Sequence, residues 1–169
     1  MGLKKLTTLA LYATLSLAIF AIESAIPPLL PIPGIKPGLA NIITLILLRN
    51  ASVKDTALVL GTRLLLSTVL FGQAMGFLYS LAGASLSLAA MVLVNRLLQN
   101  RFVFLTSVTG GITHNLGQLL VAFLITKVSG ILLYLPFLIL AGMVTGLFTG
   151  LCAHFAQKYL LPVIRRLQA

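Results

Sequence analysis

Six apolar runs, separated by short basic or proline-rich breaks, fill nearly all of this chain and leave too few polar residues to cover a water-soluble fold. A helix that crosses a bilayer needs about 20 mostly apolar residues. Run one extends from Leu6 to Ile26 and stops at Pro27-Pro28, because proline lacks an N–H and clashes with the preceding turn. Run two, Leu39 to Leu48, is short for a span unless the proline-rich stretch before it dips into the membrane. Run three begins near Val53, where Ser52 and Asp55 suit a helix start, and reaches Phe71. Gly72-Gln73 and Gly76 mark a break before run four, Leu78 to Leu98. Run five is Phe102 to Ile125, and run six is Ile131 to Leu161. Run one is too long for a secretory signal and lacks a small-x-small cleavage site. The expectation is an all-α integral membrane protein, with residues 1–169 forming one transmembrane domain of six helices.

Charge supports that count and orients it. The chain is 59% hydrophobic and 8% charged, where a soluble domain carries about 25% charged residues. Its net charge of +10 comes from bases between the runs rather than on amphipathic helices. That pattern argues for cytoplasmic loops and against nucleic acid as a partner. With the N-terminus inside, Lys4, Lys5, Arg49, Lys54, Arg96, Arg101, Lys158, Arg165 and Arg166 fall on the cytoplasmic side. Lys36 and Lys127 fall outside, and Arg63 lies within a span. The positive-inside rule therefore predicts a multi-pass protein with both ends in the cytoplasm. The stretch AIPPLLPIPGIKPGLANI becomes the first extracytoplasmic connection, a semi-rigid lid over a pocket or a plain connector. Gly34 and Gly38, which bracket Ile35-Lys36-Pro37, are candidate hinges.

Polar groups inside the runs are candidate ligand contacts, since the bilayer makes them costly. Arg63 sits near mid-bilayer and needs an acceptor. Glu23 supplies one as a structural ion pair, or an anionic ligand does. In GGITHNLGQLL, His114 and Gln118 share a helical face, with Asn115 beside them and Gly110, Gly111 and Gly117 leaving room. A lone helical His among amides is a poor metal site. Asn41, Gln73 and Tyr79 are placed to line the same space, and Lys36 to approach it from the lid. The substrate-binding set is thus Glu23, Lys36, Asn41, Arg63, Gln73, Tyr79, His114, Asn115 and Gln118.

Two small-residue ridges, Gly142/Gly146/Gly150 on run six and Ala10/Thr14/Ala18 on run one, serve packing within the bundle or docking of another subunit. No phosphate loop, catalytic triad or haem-ligating His pair is evident, and one aspartate cannot form an aspartate-rich magnesium–diphosphate motif. Neither enzymatic activity nor a cofactor is expected.

Together, ESAIPPLLPIPGIKPGLANI, LGTRLLLS, YSLAGASLSLAAM and GGITHNLGQ resemble the bacterial membrane family called heptaprenyl diphosphate synthase component I, or Gx transporter family. That family is similar to the S components of energy-coupling factor transporters, small N-in six-helix proteins whose first loop helps to close an extracytoplasmic pocket. The resemblance implies an S-component-like bundle in the bacterial cytoplasmic membrane that binds a small amphipathic or anionic molecule. It further implies docking through Ala10, Thr14 and Ala18 to a transmembrane coupling subunit with an ATPase pair. Relatives also look like membrane components of quinone- and flavin-linked extracellular electron transfer. This implies, as the alternative, a non-transporting subunit beside a redox flavoprotein or a prenyl-lipid assembly.

Overall fold

The computed structural model describes residues 2–25, 38–71, 74–99 and 101–160. Among them there is no strand, and six helices follow one another: α1 (Leu3–Ala25), α2 (Asn41–Asn50), α3 (Val53–Phe71), α4 (Ala74–Leu97), α5 (Val103–Thr126) and α6 (Leu135–Phe155). A 3-10 segment, Ser129–Tyr134, leads into α6, and a wider π turn, Ala156–Leu160, follows it. Four stretches are long and apolar enough to cross a membrane: Leu3–Ala25, Met75–Leu97, Val103–Thr126 and Ser129–Tyr159. Their outward faces carry leucine, valine and phenylalanine, as for a bundle whose solvent is lipid.

The remaining two helices differ from these. α3 has 19 residues, about 28 Å of helix, but includes Lys54, Asp55 and Arg63. α2 has 10 residues, about 15 Å, or roughly half the hydrocarbon thickness. Run two is therefore a half-helix and not a full span. It is apolar on every side, and Ile43, Thr44, Leu45, Ile46, Leu47 and Leu48 are all buried. A helix of that kind belongs inside a bundle, and α2 forms the middle of a core with Leu9 and Ala13 of α1, Val59 of α3, Met91 of α4, Val103 of α5 and Ala153 of α6.

Contacts at the helix ends gather the basic residues together. Lys5 at the start of α1 pairs with Asp55 at the start of α3, Nζ to Oδ2 at 2.8 Å. Ser52 Oγ accepts the Asp55 N–H and donates to its carboxylate, closing the first turn of α3. Arg49, at the end of α2, donates from Nε to Gln157 beyond α6, at 3.2 Å. The starts of α1 and α3 and the ends of α2 and α6 thus meet at one basic end of the molecule.

α4, α5 and α6 form an antiparallel slab closed by glycine. A Cβ on Gly111 would lie 2.3 Å from the Gly142 carbonyl, and one on Gly146 would lie 2.6 Å from Val108 Cα. Gly117 faces the Ala82 carbonyl in the same way, at 2.7 Å. The Gly142/Gly146/Gly150 ridge therefore lies against α5, with Gly150 beside Ser107 and Phe104. Two polar groups in this seam find partners across it: Ser107 with Thr149 at 2.7 Å, and Asn115 Nδ2 with the Leu138 carbonyl at 2.8 Å.

Candidate functional site

The half-helix decides where the polar residues meet. Its N-terminal end begins at Gly38, which lies against the ring of His114, halfway along α5. A Cβ on Gly38 would be 2.9 Å from His114 Cδ2 and 3.1 Å from Asn41 Nδ2. Gly38 also has φ +80, a backbone setting that side chains other than glycine's resist. The position read from sequence as a hinge is thus wedged between an imidazole and an amide.

A helix beginning in a water-poor interior leaves its first N–H groups without intrahelical acceptors and carries partial positive charge there. Glu23, near the end of α1 and 2% exposed, answers the charge and binds the turn ahead of the helix. Its carboxylate accepts from the Gly38 N–H through one oxygen and from the Ala40 N–H, at 3.4 Å, through the other. The chain's one glutamate thus holds the turn, Gly38 to Ala40, that leads into α2.

This corrects the expected Glu23–Arg63 ion pair. The two groups attract one another through the interior, but among the described residues the ion pair that forms is Lys5–Asp55. Arg63 is 3% exposed at the middle of α3. Its guanidinium carbon lies 5.7 Å over the Phe20 ring, a cation–π contact. Its Nε and Nη2 are buried with no hydrogen-bond acceptor among the described residues. A void of about 10 Å³, bounded by Phe20, Ser67, Thr68, Phe71, Gly76, Phe77 and Ser80, opens one turn further along α3.

His114 is held on three sides. Gly38 lies against Cδ2, Gly83 of α4 lies against Nδ1, and Gln118 Nε2 is 3.1 Å from its Nε2. Asn41 and Gln118 are buried within this group. Glu23, Asn41, Arg63, His114 and Gln118 therefore converge on the start of α2: Glu23 through its hydrogen bonds to Gly38 and Ala40, His114 and Gln118 through their bond to one another, and Asn41 and Arg63 through contact or charge.

Other residues of the sequence-derived set lie elsewhere. Asn115 turns to α6 through Leu138. Tyr79 packs with Leu119, Ala122 and Leu138 in a separate apolar cluster. Lys36 and Gln73, like the proposed lid over residues 27–37, lie outside the described residues. Ala10, Thr14 and Ala18 are all on the exposed face of α1, opposite the buried line of Leu9, Ala13, Ser16, Phe20 and Glu23. Sequence reasoning missed two walls of the site, Phe20 and Gly83. Phe20 falls on the same α1 face as Glu23, three residues earlier, and that spacing is the signal that marks it.

A separate groove of about 630 Å³ runs between α3 and α4, lined by apolar side chains such as Leu60, Leu64, Leu88 and Val92, with Arg96 at one end. Gly61 faces it, and a Cβ there would touch nothing within 4 Å.

No curated protein and no solved structure matches the chain. A family model does, over residues 12–156, a stretch that includes α2 through α6 entire and every described residue of the polar cluster. The chain belongs to the heptaprenyl diphosphate synthase component I family.

Proposed function

We propose that this protein is a substrate-binding membrane subunit of the S-component type. In this reading six helices lie in the bacterial cytoplasmic membrane with both ends inside. A small amphipathic or anionic molecule enters from the outer side. The observation that carries the reading is the half-helix whose N-terminus is buried at mid-bundle among Glu23, Arg63, Asn41, His114 and Gln118. Transport proteins use broken helices in this way, because the freed backbone and the helix dipole supply ligand contacts where lipid supplies none. The gathering of Lys5, Arg49 and Lys54 at one end supports an N-in orientation. The exposed small-residue face of Ala10, Thr14 and Ala18 supports docking of a transmembrane coupling subunit with its ATPase pair, since the chain has no phosphate loop of its own.

Catalysis is not part of the proposal. Magnesium–diphosphate chemistry needs several carboxylates, and Glu23 and Asp55 are the two in the sequence. A second reading, a non-transporting subunit beside a prenyl-lipid or quinone- and flavin-linked assembly, is favoured by the family's description and by the apolar groove between α3 and α4.

Affinity purification from native membranes, with mass spectrometry of retained small molecules and proteins, tests both. A retained polar small molecule together with an ATPase pair and its coupler is the expected result. A flavoprotein or prenyl synthase in their place transfers the case to the second reading.

A further inference from the structure

The polar cluster contains two sets of donors suited to an anion and one carboxylate to serve them. The first set is the Gly38 and Ala40 N–H pair at the start of α2, and Glu23 occupies it with both oxygens. The second is Arg63. Its two donors without a described acceptor, Nε and Nη2, are not a random pair: they share one edge of the planar guanidinium. That edge presents two roughly parallel N–H vectors, the geometry that matches two oxygens of a carboxylate or a phosphate. The alternative acceptors nearby do not serve it. Glu23 makes no ion pair with it, and Phe20 offers a ring face and no lone pair. His114 has its Nε2 turned to Gln118.

We infer that the Nε–Nη2 edge of Arg63 is a two-point seat for an oxyanion of the ligand, a carboxylate or a phosphate group. The inference rests on the ligand-binding reading above and names the chemical group that reading leaves open. Glu23 sets the charge balance. While it holds the Gly38–Ala40 turn it leaves the Arg63 edge to an incoming anion, and it repels that anion from α2 itself. The void beside Phe20 and Ser67, about 10 Å³, holds about one water and not an oxyanion. Nε and Nη2 are themselves buried and Arg63 does not line that void, so binding has to move the Phe20 ring, which lies over the guanidinium and borders the void, to open the edge.

The test uses the full-length protein in lipid nanodiscs, labelled with ¹⁵N-arginine, with the Arg63 Nε resonance assigned by its loss in Arg63→Lys. Sodium acetate, inorganic phosphate and sodium chloride are titrated at matched ionic strength. A saturable shift of the Arg63 signal with acetate or with phosphate, and none with chloride, is the expected result. Which of the two saturates tells a carboxylate ligand from a phosphate one. The lysine variant keeps the charge but loses the fork, so thermal stabilisation by the effective oxyanion should need about tenfold more of it. Should Arg63→Lys not fold, Glu23→Gln replaces it: removing the repelling carboxylate should tighten the same oxyanion several-fold. A linear response to both oxyanions, an equal response to chloride, or unchanged affinity in the variant used overturns the assignment. A purified ligand lacking carboxylate and phosphate also overturns it, while leaving the substrate-binding reading intact. Saturation without any retained ligand or coupler does the reverse.

Discussion

The two halves of this bundle solve the same problem differently. Between α4, α5 and α6, glycines bring backbones together until no Cβ fits, and polar groups such as Ser107 and Asn115 find partners across the seam. Around the start of α2, side chains are large, polar or charged, and Arg63 keeps two donors without a described acceptor. Lipid gives helices no hydrophobic reason to associate, so the first half is held by close packing. The first half leaves single neutral atoms such as Ser87 Oγ and Asn115 Oδ1 without a partner among the described residues, whereas the second leaves two donors of one buried cation so, and such departures in a well-packed protein mark functional positions. The slab is a rigid wall, and the half-helix is mounted against it.

Substitutions separate the two halves. The largest effect is expected in the seam. Gly146→Leu drives a side chain into the α5 backbone, where a Cβ alone would lie 2.6 Å from Val108 Cα. It should cost about 3 kcal/mol or more and show as loss of monodisperse protein on size exclusion. A wild-type elution profile would mean that the slab is not rigid.

Gly38→Ala comes next. It combines a positive φ with a clash against the His114 ring, for a loss of about 1–3 kcal/mol measured as a lowered unfolding midpoint, together with weakened ligand retention. Retention unchanged alongside a lowered midpoint would separate the turn from the site.

Glu23→Ala leaves the buried Gly38 and Ala40 N–H groups without their acceptor and should destabilise by about 1–2 kcal/mol. Arg63→Leu should not. Sequence alone argues that this change strands an acceptor, but the acceptor it would strand is already engaged with Gly38 and Ala40. Its unfolding midpoint should stay within about 1 kcal/mol of wild type, with ligand retention lost. A collapse of stability in Arg63→Leu would restore the ion pair.

The smallest effects are expected on the outside. Gly61→Ala meets open space and should be neutral within about 0.5 kcal/mol. Ala18→Trp on the exposed face of α1 should leave the unfolding midpoint alone while blocking co-purification of the coupling subunit. Loss of ligand retention in that variant would put the face inside the bundle.

Much of this was written in the periodicity and the charges. Apolar runs marked the described helices to within a few residues. The shortness of run two was legible too, since Arg49 and Asn50 close it. Glu23, Arg63 and His114 stood out because lipid tolerates so few such groups. Their partners did not. Which acceptor Glu23 serves depends on where the chain returns at Gly38, and that point is fixed by contacts with His114, 76 positions further along. No local pattern encodes it. Tyr79 and Asn115 were assigned to the cluster because they lay at the right depth, but depth does not say which way a side chain turns. They face Leu119 and Leu138 instead.

The half-length of α2 also constrains how the molecule is made. A segment of ten residues is too short to be released sideways into lipid, because its open N–H groups would meet hydrocarbon. α1 and α3 emerge from synthesis before and after it, yet the ring that borders its first turn belongs to α5, and Ala153 of α6 packs in its core. α2 therefore waits for α5 and α6 to be translated before its enclosure is complete. Until then Glu23, the neighbour already made, is the group that keeps its leading end from lying bare.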